Sequence, residues 1–213
     1  MRIFKVDPDN PDPIAIREAA EAIHGGGLVI FPTETVYGLA ANALNPDAVM
    51  GVFLAKGRAF GCPLPVQVGD KAKIGEVAVE LSEAAIRLAE RFMPGPITLI
   101  VRRSSIIPDV VTAGGATVGV RIPDDPVALS LLRDANTPIV ATSANISGQS
   151  EPRDAEEAIR QVGALVDVVL DAGPAKYGVA STVIDTTVTP PRIVRLGAIP
   201  MEEIREIVGE LIE

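Results

Sequence analysis

Between Pro138 and Gly148 the chain reads Pro-Ile-Val-Ala-Thr-Ser-Ala-Asn-Ile-Ser-Gly, a short apolar run that turns into the hydroxyls of Thr142, Ser143 and Ser147 and the amide of Asn145. Short neutral donors at the end of a buried strand suit a polyanion, because such sites are built from main-chain N–H groups and small polar side chains. A Ser/Asn-rich turn that satisfies only its own backbone has the same composition. The other side chains equipped for chemistry are Thr33, Lys56, Arg58, Thr117, Arg121, Ser181 and Arg195, each placed at the end of an expected strand or helix. Arg121 and Arg195 stand out because each lies in an apolar strand-like run, and a buried guanidinium requires an anionic partner, whether Glu, Asp, phosphate or carboxylate.

Several chemistries are excluded by what is missing. No GxxxxGK[ST] run is present, and the Gly25-Gly26-Gly27 triplet lacks the spacing of a dinucleotide fingerprint. His24 is the one histidine and falls at an expected helix end, where a structural role suits it and a Ser-His-Asp triad has no base. Cys62 is the one cysteine, which excludes an internal disulfide, a cysteine zinc site and a CxxC pair. No clustered acidic ligands indicate a resident metal.

The elements that must carry these groups alternate along the chain. Asp12 and Pro13 open a helix that closes at the glycine triplet, and a strand from Leu28 to Phe31 delivers the polar stretch Pro32 to Leu39. Pro46 and Asp47 start a helix ending at Lys56-Gly57-Arg58, and Pro63 to Val68 reads as a strand. Ser82 caps a helix broken by Met93-Pro94-Gly95-Pro96. Strands at Ile97 to Val101 and Thr117 to Ile122 and a helix from Asp124 to Arg133 lead to the Pro138 strand. A helix from about Asp154 to Val162 and a strand from Val166 to Leu170 come next. A loop from Gly173 to Gly178, strands at Ser181 to Asp185 and Ile193 to Leu196, and a helix from Met201 to Ile212 complete the series. About eight strands exceed a minimal alternating fold, and the neighbouring β-rich segments require antiparallel pairing. The expectation is a single α/β domain over residues 1–213, a large twisted sheet of mixed parallel and antiparallel strands with helices packed around it.

Composition agrees. The 213 residues are 47% hydrophobic, enough for a buried core, and 19 Lys and Arg against 28 Asp and Glu give a net charge of −9, which repels nucleic acid and anionic lipid overall. No apolar run is long enough to span a membrane, the amino terminus lacks a signal-peptide core, and a reducing cytoplasm is the expected location.

Taken together, Pro32-Thr33-Glu34-Thr35-Val36-Tyr37-Gly38-Leu39, Lys56-Gly57-Arg58 with Pro63-Leu64, Pro94-Gly95-Pro96-Ile97-Thr98-Leu99, Val120-Arg121-Ile122-Pro123, Ala141 to Gly148, Ser181-Thr182-Val183-Ile184-Asp185 and Arg195-Leu196-Gly197 resemble the YrdC-like threonylcarbamoyl-AMP synthases over almost the entire chain. The resemblance implies a mixed α/β fold with a positively charged central cavity. It implies condensation of L-threonine, bicarbonate and ATP, with Mg2+ carried by the nucleotide, and a product passed to a separate tRNA threonylcarbamoyl transferase. It places Lys56, Arg58, Thr117, Ser143, Asn145 and Arg195 at ATP, and Thr33, Arg121, Ser181 and Gln67 at threonine, and it nominates no general base. Longer relatives carry an additional carboxyl-terminal domain, which is not expected here. Departures from the family pattern are Ala59, Cys62 in place of asparagine, and Gln67 and Asp125 in place of histidines; Gln67 donates and accepts hydrogen bonds but carries no proton. Two other functions fit parts of the pattern: a double-stranded RNA or tRNA-binding module, and a carbamoyl-adenylate-forming enzyme of the hydrogenase-maturation type.

Overall fold

Side-chain caps written into the sequence start five of the helices. Asp12 accepts from Ile14 N, Asn45 from Asp47 N and Ala48 N, Ser82 from Ala85 N, Asp125 from Ala128 N, and Asp154 from Glu157 N. Proline follows the cap in three of them, at Pro13, Pro46 and Pro126, where its missing N–H costs nothing. The computed structural model describes residues 1–212. In chain order the elements are β1 (Arg2–Lys5), α1 (Pro13–His24), β2 (Val29–Phe31), β3 (Gly38–Asn42), α2 (Pro46–Lys56), β4 (Val66–Gln67), α3 (Ile74–Val77), α4 (Glu83–Phe92), β5 (Ile97–Arg102), α5 (Asp109–Thr112), β6 (Thr117–Arg121), α6 (Pro126–Ala135), β7 (Ile139–Ser143), α7 (Ala155–Val162), β8 (Val168–Asp171), β9 (Thr182–Asp185), β10 (Arg192–Arg195) and α8 (Met201–Val208).

All ten strands form one sheet in the order β1-β8-β2-β3-β7-β4-β6-β5-β9-β10. Pairing is parallel at β1/β8, β8/β2, β4/β6 and β5/β9 and antiparallel elsewhere, the mixed sheet that the strand-rich segments require. Side chains alternate between the two faces. On one face Leu39, Ala41, Val66, Leu99, Val120 and Val140 join residues of α2, α4 and α7 in the larger core. On the other, Phe31, Ala40, Ile139 and Leu170 pack under α1 and α6. That second covering stops near β7. Beyond it the same face carries Gln67, Thr98, Ile100, Gly119, Arg121 and Val183, which line a cavity to which no helix contributes among the described residues.

Four expectations need correction. Gly38–Asn42 is a full strand, although Pro32 to Leu39 reads as a loop; Gly and Ala have weak strand preference, and pairing with β2 and β7 on both sides overrides it. The strand from Pro63 shrinks to Val66–Gln67, since Pro63 and Pro65 donate nothing to a ladder. The helical turns at Lys71–Lys73, Ile74–Val77 and Asp109–Thr112 are too short to leave a periodic signal. The last helix ends at Val208, where Gly209 follows with φ +77°. Among the described residues no helix is long and apolar enough to cross a membrane.

Candidate active site

The uncovered face holds a cavity of about 240 Å³. Its floor is built from small residues. A Cβ on Gly119 would stand 3.1 Å from Thr98 Cγ2 and 3.4 Å from Pro65 Cβ, and one on Gly38 would collide with Phe31 Cε1 at 2.6 Å. The walls come from the Thr33–Val36 loop, Arg58, Pro63 to Pro65, Thr142, Ser143, Glu151, Ser181 and Arg195.

The three guanidiniums on the lining differ in how they are held. Gly57 takes the left-handed conformation at φ 57°, turning the chain so that Arg58 Nη2 donates to Pro63 O at 3.0 Å. Arg195 donates to Ser181 O through Nε at 3.2 Å and Nη2 at 2.9 Å. It is exposed rather than buried, because β10 is an edge strand on which Val194 is also in solvent, as is Leu196 just after it. Arg121 is buried as its apolar surroundings require, and its anionic partner is Glu34, at 2.8 Å, with Thr35 Oγ1 at 2.9 Å. Positive charge therefore gathers at Arg58 and Arg195, while Glu34 offsets Arg121 and Glu151 adds a carboxylate to the lining.

Lys56 and Asn145 are close to the cavity without lining it. Lys56, 2% exposed, donates to Ser143 O, to Asn145 O at 2.7 Å and to Asn145 Oδ1 at 3.1 Å. An ammonium has three N–H groups, and all three are occupied. Burial, reinforced by Arg58 and opposed by Glu151, brings its pKa down to about 8. Asn145 spends Nδ2 on Ile146 O and Gln149 O, and its Oδ1 also accepts from Ser143 Oγ at 2.6 Å. Lys56 and Asn145 thus pin the loop that presents Ser143. Thr117 shares the cavity face of β6 with Gly119 and Arg121 but lies at the far end of the strand, opposite Arg102 and outside the lining.

At the Arg121 end, Thr33 Oγ1 donates to Val36 O at 2.7 Å and meets Thr35 Oγ1 at 2.8 Å, while Ser181 Oγ lies 2.9 Å from Thr98 Oγ1. Gln67 pairs in register with Arg121. Asp125 caps α6, and burial raises its pKa, helped by the Glu34 carboxylate and opposed by the Ala128 N–H. Cys62 is exposed, and His24 ends α1 in solvent away from the lining. On the residues that line the cavity three polar atoms are buried without a hydrogen-bond partner, Arg58 Nε, Gln67 Oε1 and Arg121 Nε, and both oxygens of Glu34 behind the lining share that state. Two unmet donors and one unmet acceptor on the lining are what a polar ligand would satisfy. Glu34, Thr35, Thr98 and Glu151 escaped the sequence reading. Thr98 was detectable, since it alternates with Ile100 on the face opposite Leu99.

The Gly173 to Gly178 loop is anchored at Tyr37, whose hydroxyl donates to Gly173 O at 2.7 Å and accepts from Ala172 N at 3.0 Å. Burial drives this phenol's pKa upward. Tyr177 N donates to Glu34 O at 2.8 Å, tying the loop's other end to the Arg121 wall.

The profile of the Sua5/yciO/yrdC family, described as telomere recombination, matches residues 21–197. The threonylcarbamoyl-AMP synthase of Pyrococcus abyssi is 44% identical over 92% of this chain and 58% of its own length. That of Bacillus subtilis is 40% identical over 92% of this chain and 57% of its own. The crystal structure of P. abyssi Sua5 complexed with L-threonine superposes with a TM-score of 0.96 at 42% identity, covering all of this chain and 62% of that one. The chain spans less than two thirds of the length of these relatives.

Proposed function

The chain belongs to the Sua5/YciO/YrdC family, and from that premise we propose that it condenses L-threonine, bicarbonate and ATP into threonylcarbamoyl-AMP and pyrophosphate. The threonine ammonium and bicarbonate combine to a carbamate with loss of water and a proton. A carbamate oxygen then attacks the α-phosphorus of ATP, and pyrophosphate leaves. Nothing in this sequence demands a protein nucleophile; positioning and charge stabilisation suffice. The observation that carries the reading is the cavity itself, where Arg58 and Arg195 form no ion pair among the described residues, Arg121 is paired with Glu34, and Ser181 stands between Arg195, which donates to it, and Thr98.

In this assignment Arg58, Arg195 and Ser143 hold the triphosphate, Thr117 stands at the margin of the nucleotide, and Lys56 and Asn145 keep the Ser143 loop in place. Arg121 receives the threonine carboxylate, with Gln67, Thr33 and Ser181 around the remainder. That P. abyssi Sua5 forms a complex with L-threonine supports threonine as a ligand. Mg2+ would be held chiefly by the phosphates, since among the described residues no group of three or more His, Cys, Asp or Glu converges; Glu151 is the carboxylate on the lining available to it. The product would go to a separate tRNA threonylcarbamoyl transferase.

Calorimetry on two variants tests the division of the cavity. Arg58→Ala is expected to weaken ATP binding about tenfold, roughly 1.4 kcal/mol, and leave threonine affinity unchanged. Arg121→Ala is expected to do the reverse. Loss of ATP binding in Arg121→Ala with threonine binding intact would show the two ends to be exchanged.

A further inference from the structure

The three guanidiniums of the cavity lining hold their charge differently. Arg58 and Arg195 are held by neutral oxygens of Pro63 and Ser181, and among the described residues neither forms an ion pair. Arg121 is different. It meets Glu34 at 2.8 Å with the two side chains 8% and 2% exposed. The contact is an ion pair without hydrogen-bond alignment, and both Glu34 oxygens are buried with no hydrogen-bond donor. The carboxylate's charge is therefore not spread onto neighbouring N–H groups and bears on Arg121. Asp125 is a second carboxylate close to Glu34; Gln67, Thr33 and Thr35 are neutral, and Arg195 approaches as far as Ser181 Oγ at 3.3 Å. Glu34 is also fixed in place, since its main-chain oxygen accepts from Tyr177 N.

A lone guanidinium in this recess would attract any small anion, including phosphate, bicarbonate or pyrophosphate. Resting on the synthase reading, we propose that Glu34 is a specificity residue: by offsetting Arg121 it makes this end of the cavity accept a zwitterionic amino acid and reject a simple anion. The ligand carboxylate still gains the directed N–H groups of Arg121, including the unmet Nε, while its ammonium falls in the negative field of Glu34. Glu34 does not line the cavity and touches no substrate. It acts through its field, which in a poorly hydrated interior reaches across several ångströms. The triphosphate is thereby directed to Arg58 and Arg195.

Titration calorimetry of the wild type and Glu34→Gln with L-threonine, 3-hydroxybutanoate, inorganic phosphate and ATP tests this. 3-Hydroxybutanoate keeps the carboxylate and hydroxyl and lacks the ammonium. The expected result is a fall of about tenfold or more in the preference for threonine over 3-hydroxybutanoate, with phosphate bound more tightly and ATP affinity unchanged. Equal weakening of threonine and 3-hydroxybutanoate would mean that Glu34 only orients Arg121, and would overturn the inference while leaving the synthase reading intact. If Glu34→Gln does not fold, the wild type decides: 3-hydroxybutanoate binding within a few-fold of threonine overturns the inference, and its exclusion supports it. A wild type that binds no threonine overturns the synthase reading and the inference together.

Discussion

Lys56 shows how a residue singled out by its type can carry an unexpected task. A lysine at a helix end beside Gly57-Arg58 reads as a phosphate ligand, yet its three N–H groups end on Ser143 O, Asn145 O and Asn145 Oδ1. Replacing it with methionine leaves buried acceptors unpaired, so Lys56→Met is expected to lose about 2–4 kcal/mol of stability, whereas Arg58→Ala, removing a half-buried group bonded to one carbonyl, loses under about 1 kcal/mol. Urea unfolding of the two variants checks the contrast, and equal stabilities would refute the pinning role. The protonated form is the one with enough donors for all three acceptors, and it is lost as pH rises through about 8. ATP affinity should therefore decline on the alkaline side of that value in the wild type, and a flat profile would contradict it. The cations and hydroxyls were legible in the sequence because their types are restrictive. Their hydrogen-bond partners were not, because Lys56 and Asn145 are 89 positions apart.

Strand β6 carries Arg121 and Gly119 into the cavity, and α6 follows it in the chain behind the Asp125 cap. Gly119→Val suits a strand backbone but puts side-chain atoms against Thr98 and into the ligand space; it is expected to abolish threonine binding at a stability cost of about 1–3 kcal/mol. Retained binding would place threonine elsewhere. Asp125 has a raised pKa in the fold, so the stability it contributes is present below the ordinary carboxylate range and lost as pH rises through the raised value. Asn at this position keeps a cap acceptor for Ala128 N without the buried charge. The Tm of Asp125→Asn relative to wild type should accordingly rise as the pH is raised above the ordinary carboxylate range, and a constant difference would contradict it. Elements with caps and strong periodicity, such as α1, α4 and α7, could be read directly from the sequence. β3 could not, since Gly-Leu-Ala-Ala-Asn has no strand signature and owes its form to β2 and β7.

Across the whole molecule, a net charge of −9 coexists with a site whose unpaired cations are Arg58 and Arg195. The surface as a whole opposes an extended nucleic-acid contact, while Arg58 and Arg195 supply two local cations to the cavity. The recess exists because α1 and α6 cover part of one sheet face and leave the rest open. That partial covering depends on how ten strands are ordered, and strand order left no local trace in the sequence; the mixed sheet did, through its crowded β-rich segments. The most direct measurement is pyrophosphate release from ATP by the purified protein, with L-threonine and bicarbonate supplied together, singly or not at all, and with carbamoyl phosphate as the alternative substrate. Release that requires threonine and bicarbonate together is the result predicted; release with carbamoyl phosphate alone, or none under any condition, would contradict it.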